Sequence, residues 1–593
     1  MVASALLASV APLAPAMARL PKIGNSSYAP PPVPGDGAAP APSRPRLLPR
    51  ARWARWALAL LLVFTFIRGG MWAMTQPYFW APDEDYHFLY VEYLTTQHAL
   101  PKPDKPLYPD EYPAVIQAMK YDQYSSGPRR DFSGDPKASV RRLDHYPDSN
   151  RQPHVTGRGV SVVHAPLYYL TGALVNGALG DTSPFTRIAA VRWVSSAFGV
   201  LFVFFAWLLA AQVFRRELLQ LTVALLVAVQ PMVGFISGIV SNDIAVSAGF
   251  AAALALLLFI VRTPPRAAQG LWVGGAIALA LLVKSTALAL LPLGALAYLG
   301  QALTWRDRSR EALRSAAIAL GVVAVLAAWW YVRSLIVYGS ATGQTTQVVP
   351  HGSGEPLSHV FSIAAEWTKL TYRTYWWHFY WWEAPRNTVW FYLPYAVGAV
   401  GILGLLIAAW RFRRTLLAVR EPLLRQVILM VLAILVLYVP PLAADVLRRL
   451  NGTGFILVAG RFQLPAYPAA AALLVIGLRE VFRRRLLPWA CGAVMVLASV
   501  FCWHVWTDTY VHRYFGDAGW GELFRRMSFD RPEFVTPTTY WLALIVMGVT
   551  LAGFFVALAV PWWQGRRRDP LPAGGGPFRP GRSERLIRIR GSV

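Results

Sequence analysis

The sequence predicts an all-α polytopic membrane protein, on three observations. Hydrophobic residues fill 55% of the 593 positions and charged residues only 15%, where a soluble chain carries about 25% charged. Mean hydropathy is +0.39. Apolar runs of roughly 20 residues recur along the chain, the length of a helix that crosses a bilayer. The net charge of +26 looks like nucleic-acid binding until its positions are read. Arg215–Arg216, Arg262 with Arg266, Trp305–Arg310, Arg411–Arg414, Arg483–Arg485 and Arg566–Arg568 lie between apolar runs. That is the positive-inside signature of cytoplasmic loops beside anionic lipid. The two cysteines, Cys491 and Cys502, share one apolar run and suit neither a disulfide nor a metal site.

Residues 1–50 are rich in Ala and Pro and read as a disordered cytoplasmic tail. Ala3–Ala18 resembles the apolar part of a signal peptide, but nothing basic precedes it. Arg50, Arg52 and Arg55 precede the first span, 56–74, which places the tail inside and the next segment outside. That segment opens with QPYFWAPDEDYHFLYVEYLTTQHALP, 76–101, bearing Asp83, Glu84, Asp85 and Glu92 beside Tyr86, His87 and Tyr90. Its pattern is helical from Asp83, with Pro82 just ahead and Asp83 and His87 one turn apart on one face. An interfacial helix with a capping acid accounts for it. So does a chemical site, because acids at a membrane surface need water, a cation or a substrate.

Residues 102–160 are polar and aperiodic, a long external loop. The run 161–180, SVVHAPLYYLTGALVNGALG, is long enough for a short span. A crossing there would turn every later arginine cluster outward, so it is expected to be a juxtamembrane helix. The remaining spans are 187–213, 217–238, 244–262, 268–283, 285–301, 312–337, 389–410, 423–447, 461–482, 486–506 and 538–561. With the first they make about twelve, both termini cytoplasmic. One transmembrane domain, 51–563, then has external segments 75–186, 338–388, 448–460 and 507–537, and 564–593 is a basic, disordered tail. No long-period repeat is seen.

Polar residues converge on the outer face of this topology. Asp243 sits in the tight turn after Asn242, where it suits a helix N-cap as well as a site. Lys284 interrupts LALLVKSTALALLP, holding helix ends, snorkelling, or serving function. His164 opens the juxtamembrane helix. Arg333 and Arg461 stand at outer span ends, against the positive-inside tendency, and suggest an anion. The stretch 366–390 adds Lys369, Arg373, His378 and Arg386 to a wall of Trp and Tyr, either an interfacial belt or a surface for a sugar or a lipid phosphate. Asp83, Asp85 and His87 offer ligands to a divalent cation, although residues i and i+2 face different ways on a helix. No cytoplasmic loop carries a nucleotide-binding motif. Acids for a hydroxyl proton and bases for a phosphate suggest transfer from a lipid phosphate to an alcohol.

The ordered pieces PDEDYHFLYVEYL, HAPLYYL (164–170), RWVSSAFGVL (192–201), ISGIVSNDIAV (236–246), ALALLVKSTAL (278–288), WWYVRSLIVYGS (329–340) and AGRFQLPAYP (459–468) resemble the GT-C superfamily of membrane glycosyltransferases. The likeness is to phospholipid-carrier-dependent enzymes related to protein O-mannosyltransferases and lipid A aminoarabinose transferase, over roughly 56–480. It implies a GT-C fold with a large first external loop of juxtamembrane helices. It makes Asp83 the catalytic base, Glu84 a supporting carboxylate and Asp243 a second acid. Lys284, Arg333 and Arg461 become candidates for the carrier phosphate, with His164, Tyr86 and His87 among the substrate-binding residues. No cofactor is required, a divalent cation being an option. The expected function is inverting sugar transfer from a polyprenyl-phosphate donor to a glycan, lipid or protein hydroxyl outside the membrane. The rivals are a transporter or flippase of polyprenyl-linked glycans and a noncatalytic polyprenyl-lipid-binding protein of envelope assembly.

Overall fold

The computed structural model describes residues 47–102, 106–109, 111–118, 132–143, 153–156, 160–342, 354–376, 390, 392–411, 413, 422–453, 460–483 and 485–568. In chain order its helices are α1 (Arg52–Thr75), α2 (Glu84–Gln97), α3 (Glu111–Ala118), α4 (Ala138–Leu143), α5 (Leu167–Ala178), α6 (Pro184–Val213) and α7 (Glu217–Ala228). There follow α8 (Pro231–Ser237), α9 (Asp243–Ile260), α10 (Ala267–Leu281), α11 (Leu290–Thr304), α12 (Ser309–Tyr338), α13 (Val360–Trp376) and α14 (Tyr392–Arg411). The last are α15 (Pro422–Leu450), α16 (Tyr467–Val481), α17 (Leu487–His504), α18 (His512–Phe515), α19 (Trp520–Met527) and α20 (Pro537–Arg568).

The protein is a multi-pass membrane protein. Among the described residues ten helical segments are long and apolar enough to cross a membrane, and eleven if the bent pair α7–α8 counts as one. The expected span at 268–283 is the exception. Its helix, α10, has 15 residues, short of the roughly 20 that a bilayer needs. The run 161–180 holds α5, which has 12 residues and lies against α2 and α6. Residues 102–160 are more regular than their aperiodic sequence suggests. They contain α3, α4 and an antiparallel ribbon of β1 (Pro106–Pro109) with β2 (Pro153–Thr156).

Local chemistry explains the main breaks. Between α7 and α8 the chain bends by 61° at Gln230 and Pro231, where proline has no N–H to continue the ladder. The Gln230 side chain accepts from Val233 N–H at 2.7 Å and restarts the helix. Arg68, inside α1, takes the carbonyls of Ala228 and Gln230 left open at the bend. A second break, after α10, runs through Lys284 in extended conformation into a 3-10 turn, Ser285–Ala289.

The most extensive helix pairings are α10 with α12, α6 with α9, α1 with α20 and α14 with α16. The last is a backbone contact: a Cβ on Gly404 would stand 2.0 Å from the Gly477 carbonyl oxygen, the close approach that small residues permit between membrane helices. Segments distant in sequence are also strapped together. The Lys137 ammonium donates to the carbonyls of Ser528, Arg531, Pro532 and Val535. Arg531 in turn donates to the Met74 and Thr75 carbonyls at the end of α1.

Candidate functional site

The site forms where α1 ends and α2 begins. Asp83 precedes α2 with φ +61°, the left-handed conformation that Asp tolerates better than most residues. Glu84 then turns inward and is fully buried. Its two oxygens accept from Arg192 Nε and Nη2, both at 2.7 Å, and from the Val240 and Phe79 amides at 2.9 Å. Arg192 spends its remaining N–H groups on the carbonyls of Ala73, Gln76 and Pro77. Two turns along α2, Glu92 pairs with Arg187 and accepts from Asn176. Two buried acid–arginine pairs therefore fasten α2 antiparallel to α6. Glu84, expected as support beside Asp83, has its carboxylate saturated by this clamp.

Asp83 faces a different group. Arg461 Nη2 lies 3.4 Å from Asp83 Oδ2, and Arg461 Nε lies 3.3 Å from Asp243 Oδ2. Lys284 Nζ reaches the other oxygen of Asp243 at 2.5 Å. Both cations sit against one ring, Phe462, at 4.9 Å for Lys284 and 5.2 Å for Arg461. Asp243 is the first residue of α9, yet its side chain goes to these cations and caps no backbone amide. Arg461 is held by close backbone packing. Gly460 donates to Thr374 Oγ1 at 2.8 Å, and a Cβ on Gly460 would meet the Tyr375 nitrogen at 2.3 Å.

Beside this quartet, His87 and His164 stack with ring centroids 5.9 Å apart. His87 Nδ1 shares a 2.7 Å hydrogen bond with the Tyr169 hydroxyl, and Tyr169 stacks on Tyr90 at 4.1 Å. Leu167 N–H donates to the Leu282 carbonyl at 2.9 Å, tying the His164 segment to the break that carries Lys284. Burial, then His164 and Lys284, hold His87 neutral far below the usual imidazole range. Burial and Lys284 bring His164 down to about 3. Asp83 is shifted the other way: burial raises it, and Arg461 and Lys284 only partly offset this.

The structure thus brings Asp83, Asp243, Lys284 and Arg461 together, with His87 and His164 adjoining. Asp85, raised by burial, accepts from Tyr112 at 2.9 Å. Tyr86 is half-buried on the first turn of α2. Arg333 stands apart, donating to the Pro101 carbonyl at 2.8 Å and lying over Trp330 and Tyr338. Asp83, Asp85 and His87 do not converge as a metal site, and no other three His, Cys, Asp or Glu residues do so among the described residues. Lys369 and Arg373 lie on α13, while His378 and Arg386 fall outside the described residues. An apolar cavity of about 430 Å³ is lined by Gln230, Tyr375, Trp376, Val397, Gly401 and Tyr467. Tyr375, one of its walls, is the residue that abuts Gly460.

Several contributors escape a reading of sequence alone. Arg187 and Arg192 sit inside a predominantly apolar helix, and a charge there is itself the signal of a buried partner. Phe462 carries no such mark, since one aromatic beside an arginine is ordinary.

A family model described as predicted membrane protein (DUF2142) matches residues 66–465. The chain belongs to this family. The matched stretch includes all four members of the DUF2142 protein's charged quartet. A comparison with curated proteins gives no significant match. Among solved structures, ArnT from Cupriavidus metallidurans bound to undecaprenyl phosphate aligns at TM-score 0.39 and 14% identity, over 84% of the DUF2142 chain and 77% of ArnT. The oligosaccharyltransferase of Archaeoglobus fulgidus, in complex with zinc and sulfate, aligns at TM-score 0.39 and 14% identity, over 78% of this chain and 54% of that one.

Proposed function

We propose that the protein is an inverting glycosyltransferase, moving a sugar from a polyprenyl-phosphate donor to an acceptor hydroxyl on the extracytoplasmic face. The observation that carries this reading is Arg461. It is buried, and its Nη1 has no acceptor among the described residues, although Lys284, Asp243 and Asp83 surround it. A buried donor left unmade costs about 1–3 kcal/mol. A phosphate oxygen completes it, and guanidinium favours such an acceptor.

In this reading Asp83 takes the proton of the acceptor hydroxyl. That oxygen bonds to the anomeric carbon as the carbon–oxygen bond to phosphate breaks on the opposite side. The phosphate leaves with the electron pair, its charge met by Arg461 and Lys284. Burial of Asp83 makes its carboxylate a stronger base. The neutral imidazoles of His87 and His164 suit hydroxyl groups of an uncharged acceptor. The cavity beside Tyr375 offers apolar surface to the first units of a carrier tail.

The test is donor turnover by the full chain in lipid, with a panel of polyprenyl-phosphate sugars, wild type against Asp83→Asn. Asparagine keeps the left-handed backbone and loses the base. Turnover is expected to fall by about 10²–10⁴ with donor binding retained. Equal turnover overturns the role of Asp83. Lipid binding without turnover of any donor favours a noncatalytic carrier-binding protein.

A further inference from the structure

Arg68 is a charge inside a membrane-spanning helix. It is 3% exposed, and two of its N–H groups go to the Ala228 and Gln230 carbonyls. Among the described residues it has no carboxylate partner. Carbonyls satisfy donors but leave the positive charge uncompensated, which is expensive at this position. Gly234 makes the space: a Cβ there would stand 2.5 Å from the guanidinium carbon.

Arg68 borders a second cavity, of about 440 Å³, between α1, α17 and α20, whose other walls include Phe64, Trp72, Trp503, Trp506 and Leu544. Trp506 belongs to a π-helical turn, Val505–Val511, a distortion that often marks a functional position. It is 5% exposed, and its indole N–H has no acceptor among the described residues. One apolar cavity within the spans is therefore bordered by an uncompensated cation and by a tryptophan whose indole N–H has no acceptor among the described residues. None of Asp83, Asp243, Lys284 and Arg461 lines it.

We propose that this cavity binds a long-chain carboxylate, with its headgroup on Arg68 and Trp506 and its hydrocarbon chain among Phe64, Trp503 and Leu544. The headgroup must be anionic to compensate Arg68, and a planar carboxylate matches the guanidinium fork. It must also reach a site inside the spanning bundle. A carboxylic acid crosses apolar surroundings as its neutral form and ionises beside Arg68, whereas a phosphate stays charged throughout. The volume lies within the usual range for small-molecule sites, about 300–1,000 Å³, and accommodates one chain in preference to two.

The experiment is equilibrium binding of radiolabelled oleate to the full chain in phosphatidylcholine nanodiscs. The variants are Trp506→Phe, which removes the N–H and keeps a ring, and Gly548→Leu, which fills the cavity. A Cβ at Gly548 meets nothing within 4 Å, so the larger side chain has room. The wild type is expected to bind saturably. Trp506→Phe should weaken binding about tenfold, the worth of one buried hydrogen bond, and Gly548→Leu should abolish it with the thermal unfolding profile unchanged. If Gly548→Leu does not fold, Trp506→Phe decides alone. Absence of saturable binding, wild-type affinity in the variants, or equal competition by dioleoyl phosphatidic acid overturns the proposal.

Discussion

Adjacent carboxylates can have opposite fates, and Asp83 and Glu84 show why. Glu84 is buried and accepts four hydrogen bonds, whereas Asp83 is partly exposed and, among the described residues, has one ion-pair contact, at 3.4 Å. Glu84→Gln leaves Arg192 as a buried charge without its counter-ion. We expect a loss of about 3–5 kcal/mol, read as a lower unfolding temperature in detergent, where Asp83→Asn stays near wild type. An unchanged unfolding temperature in Glu84→Gln would show that the clamp is dispensable. The histidines set a pH dependence. The native chain holds both neutral, while the unfolded chain takes protons near the ordinary imidazole value of about 6.5. Their contribution is therefore complete above about 6.5 and is lost as pH falls toward the folded His164 value of about 3. The slope is about 1.4 kcal/mol per pH unit for each histidine. Unfolding measured from pH 7 to 5 should show it, and His164→Gln should roughly halve it. Asp83 works in the opposite sense: its raised folded value favours the protonated native form, so its ionisation weakens stability as pH rises through that value.

At the scale of elements, hydropathy and charge made the helices legible because both follow from the bilayer. The run 161–180 is apolar enough to span, yet the arginine clusters counted against it, and α5 is indeed too short. The 15-residue length of α10 was less visible, because apolar sequence continues on both sides of Lys284. Asp83, Asp243 and Arg461 are conspicuous as charges at or beside span ends, and Lys284 as a charge that interrupts an apolar run. Their joining through Phe462 is not, since contacts across some 380 positions leave no local pattern. The clamp on Glu84 was hidden for the same reason. The 3-10 turn Gly460–Ala466 carries a prediction. Gly460→Ala forces the turn away from α13, because the new methyl would overlap the Thr371 and Tyr375 backbone. Arg461 should move with it, weakening polyprenyl-phosphate binding at least tenfold in a flotation assay with labelled lipid. Wild-type affinity in that variant would mean that the position of Arg461 does not matter.

For the whole molecule the arginine clusters predict which segments face the cytoplasm. Cysteines introduced at Asp307 and at Gly519, in a background lacking Cys491 and Cys502, should differ toward an impermeant thiol reagent. The first is expected to be protected in intact cells and the second labelled, and the reverse pattern would invert the topology. The strap from Lys137 to the carbonyls of 528–535 spans 391 to 398 positions, and Arg531 reaches back 457 positions to Met74. Arg461 lies 378 positions beyond Asp83. Ribosomes add about 5–20 residues each second. Asp83 thus emerges roughly 20–80 s before the arginine that will face it, and the segment around Lys137 waits as long for its fastening. During that interval the nascent protein has its acid but lacks the cation opposite, so the site is assembled only after Arg461 has been made.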